Sequence, residues 1–155
     1  VEAVVPDAWA GLAQAQMDIM GCEAWAAFAP ERNSRASLFS PAFAEVLAGG
    51  AAVNGERLAA AHALAIHARG EIENLLQQVD VLIAPSATGE APLGLDATGN
   101  PIFSRMWSLL GVPCVHVPTG VGSHGMPVGV TVIGPRWRDA RALSAALALE
   151  AAVKG

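Results

Sequence analysis

Residues 101–137, PIFSRMWSLLGVPCVHVPTGVGSHGMPVGVTVIGPRW, decide the fold. Pro101 is placed to open a short helix, because proline at the first helical turn gives up only a donor that is unpaired there anyway. Gly111 is placed to close it, where a left-handed residue ends the last turn. Val112–Val117 and Val128–Ile133 read as strands, with a glycine-rich loop between them, and Gly134-Pro135 ends the second. Their β-branched runs lack strict polar alternation, which predicts strands covered on both faces. Phe103 and Trp107 stand four residues apart and therefore share one face of the short helix, by default a core pair and alternatively the wall of an apolar pocket.

Upstream of this stretch, Val79–Ala84 predicts another buried strand closed by Pro85, followed by a polar, turn-rich loop to Asn100. Asn54 caps the clearest helix, Gly55 to about Gln78. There Leu58, Ala61, Ala65, Ala68, Ile72, Leu75 and Val79 recur at three- and four-residue steps on one face. Gly70 inside it suggests a close contact. Val1–Pro6 resembles the end of a strand, and Asp7 starts a helix to about Phe28 that Pro30 stops. Glu31–Ser40 reads as a loop. Ser40-Pro41 opens a short helix ending at Gly49-Gly50, and Asp139 caps a last helix to about Val153 with Leu143 and Leu147 facing inward. Helices with strands covered on both faces predict an α/β fold, a layered sheet with helices on both faces, in one domain over residues 1–155.

The composition narrows the partners. The chain has 155 residues and a net charge of −5, with its nine basic residues scattered, so no basic stripe offers a nucleic-acid surface. No apolar run approaches the length of about 20 residues that spans a bilayer. Cys22 and Cys114 stand apart without metal-ligand spacing, as free buried thiols in a reducing cytoplasm would. Hydrophobic residues make up 53% and charged residues only 15%, against about 25% charged in an average soluble domain. Either much of the surface is small and neutral, as the many alanines allow, or part of it is covered by other protein, the reading slightly favoured. The chain begins at valine, as a processed product or a piece of something longer would.

Several residues invite a chemical reading. Gly120-Val121-Gly122-Ser123-His124-Gly125 has the GxGxxG spacing, but a dinucleotide site needs a helix after it, and the strand-forming Met126–Val130 follows instead. Ser123 has Val121 where a nucleophile elbow needs glycine. His62 and His67 lie about 140° apart around a helix and cannot share a metal. His116 reads as a hydrogen-bonded core histidine. Ser86 and Thr88 follow a strand end, where α/β proteins gather ligand contacts, though they equally suit a cap or turn.

Four motifs in order resemble the C-terminal part of the amidase-signature family of serine amidases. They are Val79-Asp80-Val81-Leu82-Ile83-Ala84-Pro85; Thr98-Gly99-Asn100-Pro101 through Gly111-Val112-Pro113-Cys114; Val117-Pro118 through Gly125-Met126-Pro127-Val128-Gly129-Val130; and Ile133-Gly134 with Asp139–Glu150. Glu23-Ala24 and Ser40-Pro41 extend the likeness upstream. The resemblance implies part of an amidase-signature fold and hydrolysis of carboxylic amide C–N bonds by a Ser–Ser–Lys apparatus, with no cofactor and no metal. That apparatus would lie upstream of the region matched, in a catalytic N-terminal portion. The only lysine here is Lys154, next to the last residue, so no catalytic residue is assigned and the chain alone is expected to be inactive. Phe103, Trp107, Thr119 and Gly120 would line one wall of the pocket for a small amide substrate. Ala44-Glu45 falls where glutamine-using relatives carry a basic pair, which points to a plain amide. Without the catalytic portion, an exposed sheet edge and apolar faces predict a homo-oligomer. A non-catalytic assembly domain and a nucleotide-binding module are the competing readings.

Overall fold

The computed structural model describes residues 5–155, and the strand end expected over Val1–Pro6 falls largely outside them. The chain forms two compact units, Val1–Ala68 and Arg69–Gly155.

In the first unit a 3₁₀ turn at Asp7–Gly11 leads into α1, Leu12–Ala27. Pro30 does not end helical structure as expected. It sits in the first turn of α2, Ala29–Arg35, where a missing N–H costs nothing. The expected loop at Glu31–Ser40 is therefore mostly helical, with a second 3₁₀ turn at Ala36–Leu38. The Arg32 guanidinium lies 3.2 Å from the Trp25 ring centroid and donates to the Trp25 carbonyl at 3.0 Å. Edge-to-face contacts join Phe28, Phe39 and Phe43 at centroid distances of 4.9–6.3 Å.

Ser40 caps α3, Pro41–Ala51, by accepting from the Phe43 N–H. Gly49 and Gly50 lie inside this helix rather than after it. A Cβ on Gly50 would fall 2.0 Å from the Gly21 carbonyl oxygen of α1, so the two helices meet backbone to backbone. Asp18, buried on α1, accepts from Gln14 and from two nitrogens of Arg57, at 2.6–2.8 Å. The Arg57 hydrogen bond, ahead of Gln14 and simple charge attraction, holds the Asp18 carboxyl below its ordinary range against the opposing pull of burial. Asn54 caps α4, Gly55–Leu75, by accepting from the Arg57 N–H at 2.8 Å. Of the predicted stripe, Ala61, Ala65, Ala68 and Ile72 are buried and Leu58 and Leu75 half-buried, whereas Val79 lies beyond the helix, which ends at Leu75 short of the expected Gln78. Gly70 has nothing within 4 Å of where a Cβ would be, so no close contact accounts for it.

The second unit holds a three-stranded antiparallel sheet in the order β1-β3-β2, with β1 Leu82–Pro85, β2 Cys114–Val121 and β3 Pro127–Ile133. The fold is mixed α/β, as predicted, but β2 is largely exposed instead of covered on both faces. Pro85 belongs to β1 instead of closing it, which an edge strand tolerates because one side of its ladder is unpaired. Between β1 and β2 lies α5, Ile102–Leu110, closed by Gly111 at φ 69°. The ladder from β2 to β3 runs on to Val121↔Pro127, with an irregularity between Pro118 and Gly120. The expected glycine-rich loop is therefore shorter, and Thr119 and Gly120 belong to a strand. Its GxGxxG spacing spans an antiparallel hairpin, not the strand-to-helix turn a dinucleotide needs.

The last helix, α6, Asp139–Lys154, packs on the sheet face carrying Val115, Val117, Val130 and Val132. Asp139 is its first residue and not its cap. Ala142 and Ala146 are the buried residues, whereas Leu143 and Leu147 are 53% and 66% exposed. The expected inward leucines are thus corrected, and the reason is proximity. A Cβ on Gly134 would lie 2.9 Å from that of Ala142, leaving room only for small side chains. Cys22 and Cys114 are free, but Cys22 is half-buried and Cys114 exposed.

The Gly21–Gly50 contact makes a test of packing. Gly50→Ala should lower stability by about 1–3 kcal/mol through overpacking, while Gly49→Ala, with open space around it, should raise it by about 0.5–1 kcal/mol through helix propensity. Urea unfolding of both variants checks this; equal effects would refute the close approach.

Candidate functional site

Two polar clusters form where the strands end. In the first, Ser86 Oγ lies 2.7 Å from His116 Nδ1 and 2.8 Å from Thr131 Oγ1. The register makes this possible. Ala84, Thr131 and His116 are paired across the sheet, so the three sit in one row, on the face opposite Val115 and Val117. Gly129 leaves space for the imidazole, since a Cβ there would come within 2.7 Å of its Cε1. His116 is hydrogen-bonded as predicted but exposed, correcting the buried placement.

A hydroxyl on an imidazole is half of an activated nucleophile. Acyl transfer also needs a set of fixed donors where the substrate's oxyanion develops. The Ser86 N–H is already committed to the Gly129 carbonyl at 3.3 Å, and the Thr131 hydroxyl is engaged with Ser86 itself. The cluster's evident work is to bind β1, β3 and β2 together through side chains. Thr88 is exposed beyond it.

In the second cluster, the Glu90 carboxylate lies in the β2–β3 turn. It accepts from the His124 and Met126 N–H groups at 3.0 and 2.9 Å, from the Ser123 hydroxyl at 3.3 Å, and contacts His124 Nδ1 at 2.8 Å. Gly122 admits it: a Cβ there would sit 2.3 Å from Glu90 Cδ. The glycine-rich turn thus embraces an anion, but one belonging to the chain. The bond to His124, then the two backbone N–H groups and Ser123, hold the Glu90 carboxyl below its ordinary range. Nothing in the sequence pairs Glu90 with residues 34 and 36 positions later; only the returning hairpin does.

The four residues expected to line a pocket fall into two local pairs. Trp107 is buried and Phe103 half-buried on α5, while Thr119 and Gly120 are exposed at the irregularity in β2. Neither of the two hollows described in this unit, one near the start of α6 and one between α6 and β2, is lined by any of the four. Among the described residues no group of three or more His, Cys, Asp or Glu could hold a metal, and no helix is long and apolar enough to cross a membrane.

A sequence profile of the amidase family matches residues 7–143. The chain belongs to the amidase family. Among curated proteins, this amidase chain is 38% identical over 87 residues to a glutamyl-tRNA(Gln) amidotransferase subunit of Novosphingobium aromaticivorans, covering 52% of the chain and 18% of that protein. The same subunit from Roseobacter denitrificans is 40% identical over 86 residues, 50% of the chain and 17% of that protein. Among solved structures, a crystal structure of an amidase superposes with a TM-score of 0.82 at 28% identity, covering 92% of this chain and 35% of that one. A protein complex described as vestigial and tied to the origins of an s-triazine catabolic enzyme gives 0.82 at 26% identity, covering 97% and 36%. The chain therefore spans just over a third of each of these two solved chains.

The Glu90 cluster carries its own pH dependence. A carboxyl held below its ordinary range contributes fully above the unfolded value and loses that contribution as pH falls through the folded one. In an NMR titration the Met126 amide and the Glu90 side-chain signals should show a carboxylate transition centred below the ordinary carboxylate range. Glu90→Gln should abolish the transition. An unchanged Met126 amide signal in the parent chain would rule out the embrace.

Proposed function

We propose that this chain is the C-terminal section of a serine amidase that hydrolyses carboxylic amide C–N bonds. In this reading it supplies sheet strands and one wall of the substrate pocket and is inactive by itself. The observation that carries it is the combination of a family match over residues 7–143 with coverage of only about 35% of solved amidases. The chemistry agrees. A serine needs a base to take its proton near neutral pH, and the only lysine, Lys154, is exposed at the end of α6 and paired with Glu150. The Ser–Ser–Lys groups would come from sequence outside these 155 residues. Phe103, Trp107, Thr119 and Gly120 are the proposed lining, a plain small amide the proposed substrate, and the cytoplasm the proposed compartment.

A second reading is favoured by the curated relatives, which are named as amidotransferase subunits. In it the amide would be glutamine. Glu45, acidic and exposed on α3, argues against a site for the glutamine carboxylate there. The purified chain should hydrolyse neither simple amides nor glutamine above buffer rates. Mixed with a polypeptide supplying a Gly-Ser-rich segment and an internal lysine, it should gain turnover of simple amides. Turnover by the chain alone would defeat the proposal, and activity of the mixture confined to glutamine would select the second reading.

Self-association is part of the same proposal. Leu143 and Leu147 rim a hollow of about 130 Å³ between α6 and β2, and Leu93 and Leu95 are fully exposed in the loop after β1. Apolar surface of this kind seeks cover. Light scattering at high concentration should report a dimer or larger species. A sharp monomer would contradict it.

A further inference from the structure

The turn that leads into α6 contains an anomaly. The Arg138 N–H donates to the Pro135 carbonyl at 3.1 Å, closing a β-turn with Trp137 in its third position at φ 62°. That position with positive φ favours glycine. Trp137 is the only non-glycine residue with positive φ among those described, and a bulky side chain there is strained. Packing among the described residues does not repay the strain, because Trp137 is 86% exposed. The ring is displayed rather than buried.

It stands at a hollow of about 520 Å³, rimmed by three guanidinium groups, Arg136, Arg138 and Arg141. This is within the range of about 300–1,000 Å³ for small-ligand sites. Two carboxylates, Glu73 and Asp80, also line it but do not saturate the arginines. Glu73 meets Arg136 at 3.3 Å, and Asp80 lies 3.9 Å from Arg141, beyond hydrogen-bond reach. Arg136 Nε is buried without a hydrogen-bond partner, and Arg138 forms no ion pair among the described residues. Three arginines and two carboxylates thus line the hollow beside an exposed aromatic ring, with the Arg136 guanidinium 5.7 Å from the ring centroid. Guanidinium forks recognise carboxylate or phosphate, and the indole face stacks on a planar ring.

We propose that this hollow binds a small aromatic anion, a planar ring carrying a carboxylate or a phosphate, with the ring on Trp137 and the anionic group on Arg138 and Arg141. The two sources of that chemistry, an aromatic carboxylic acid and a nucleoside phosphate, are separable by titration. The 155-residue chain is titrated with benzoate and with adenosine 5′-monophosphate, each beside its ringless counterpart, acetate or inorganic phosphate. At least one ringed anion should saturate the site and bind about tenfold or more tightly than its counterpart, and whichever does so names the source. Arg138→Gln and Arg141→Gln should each weaken that binding about tenfold, as loss of a charge-assisted hydrogen bond does.

Trp137→Gly separates this role from a structural one. Glycine suits the turn, so the variant should unfold at an equal or higher urea concentration while losing the preference for the ringed anion. Failure of both ringed anions to bind overturns the proposal. Equal binding of ringed and ringless anions overturns it too, as does a Trp137→Gly variant that keeps the preference.

Discussion

Antiparallel pairing on both sides of β3 is the constraint from which the second unit takes its form. The strand of seven residues pairs with β1 along one edge and β2 along the other. Because side chains alternate, it divides its duties by position. Val130 and Val132 face α6 and build the apolar cluster with Val117 and Ala146. Thr131 and Gly129 face the other way, one bonding Ser86 and the other making room for His116. A slip of one residue would put valines against the polar row and threonine under the helix.

That pairing also explains where the polar groups collect. The hairpin brings His124 and Met126 back toward the loop that leaves β1, and the Glu90 carboxylate fills the concavity of their N–H groups. A turn rich in glycine offers such a concavity to any anion that reaches it. Here the chain supplies its own, so the sequence pattern associated with phosphate binding serves to fasten a loop to a hairpin. In the first unit a comparable economy appears: Gly21 and Gly50 let two helices touch through their backbones.

Membership of the amidase family is shown over residues 7–143. The single lysine, Lys154, is exposed at the end of α6 and paired with Glu150. What the second unit offers is a frame of three strands, a covering helix and the aromatic residues of α5. The Ser86–His116 contact has a nucleophile's first ingredient, yet its neighbours are committed to each other. The hydroxyl and the imidazole here join neighbouring strands, and acyl transfer would further need fixed donors where an oxyanion develops.

Elements defined by local rules were legible in the sequence. Ser40 and Asn54 cap helices, Gly111 ends one in the left-handed conformation, and the alanine and isoleucine stripe of α4 is buried. Each depends on residues within a turn or two of one another. The family resemblance was legible too, because turn glycines and prolines keep fixed spacing. Tertiary structure alone decided the rest. It set how near α6 comes to β3, which buries Ala142 and Ala146 and turns Leu143 and Leu147 outward. It kept Pro85 in a strand, extended β2 through Thr119 and Gly120, and joined Glu90 to His124 across 34 residues. The physical reason is that periodicity assigns a residue to a face, whereas the distance to whatever lies opposite that face is set by parts of the chain remote in sequence.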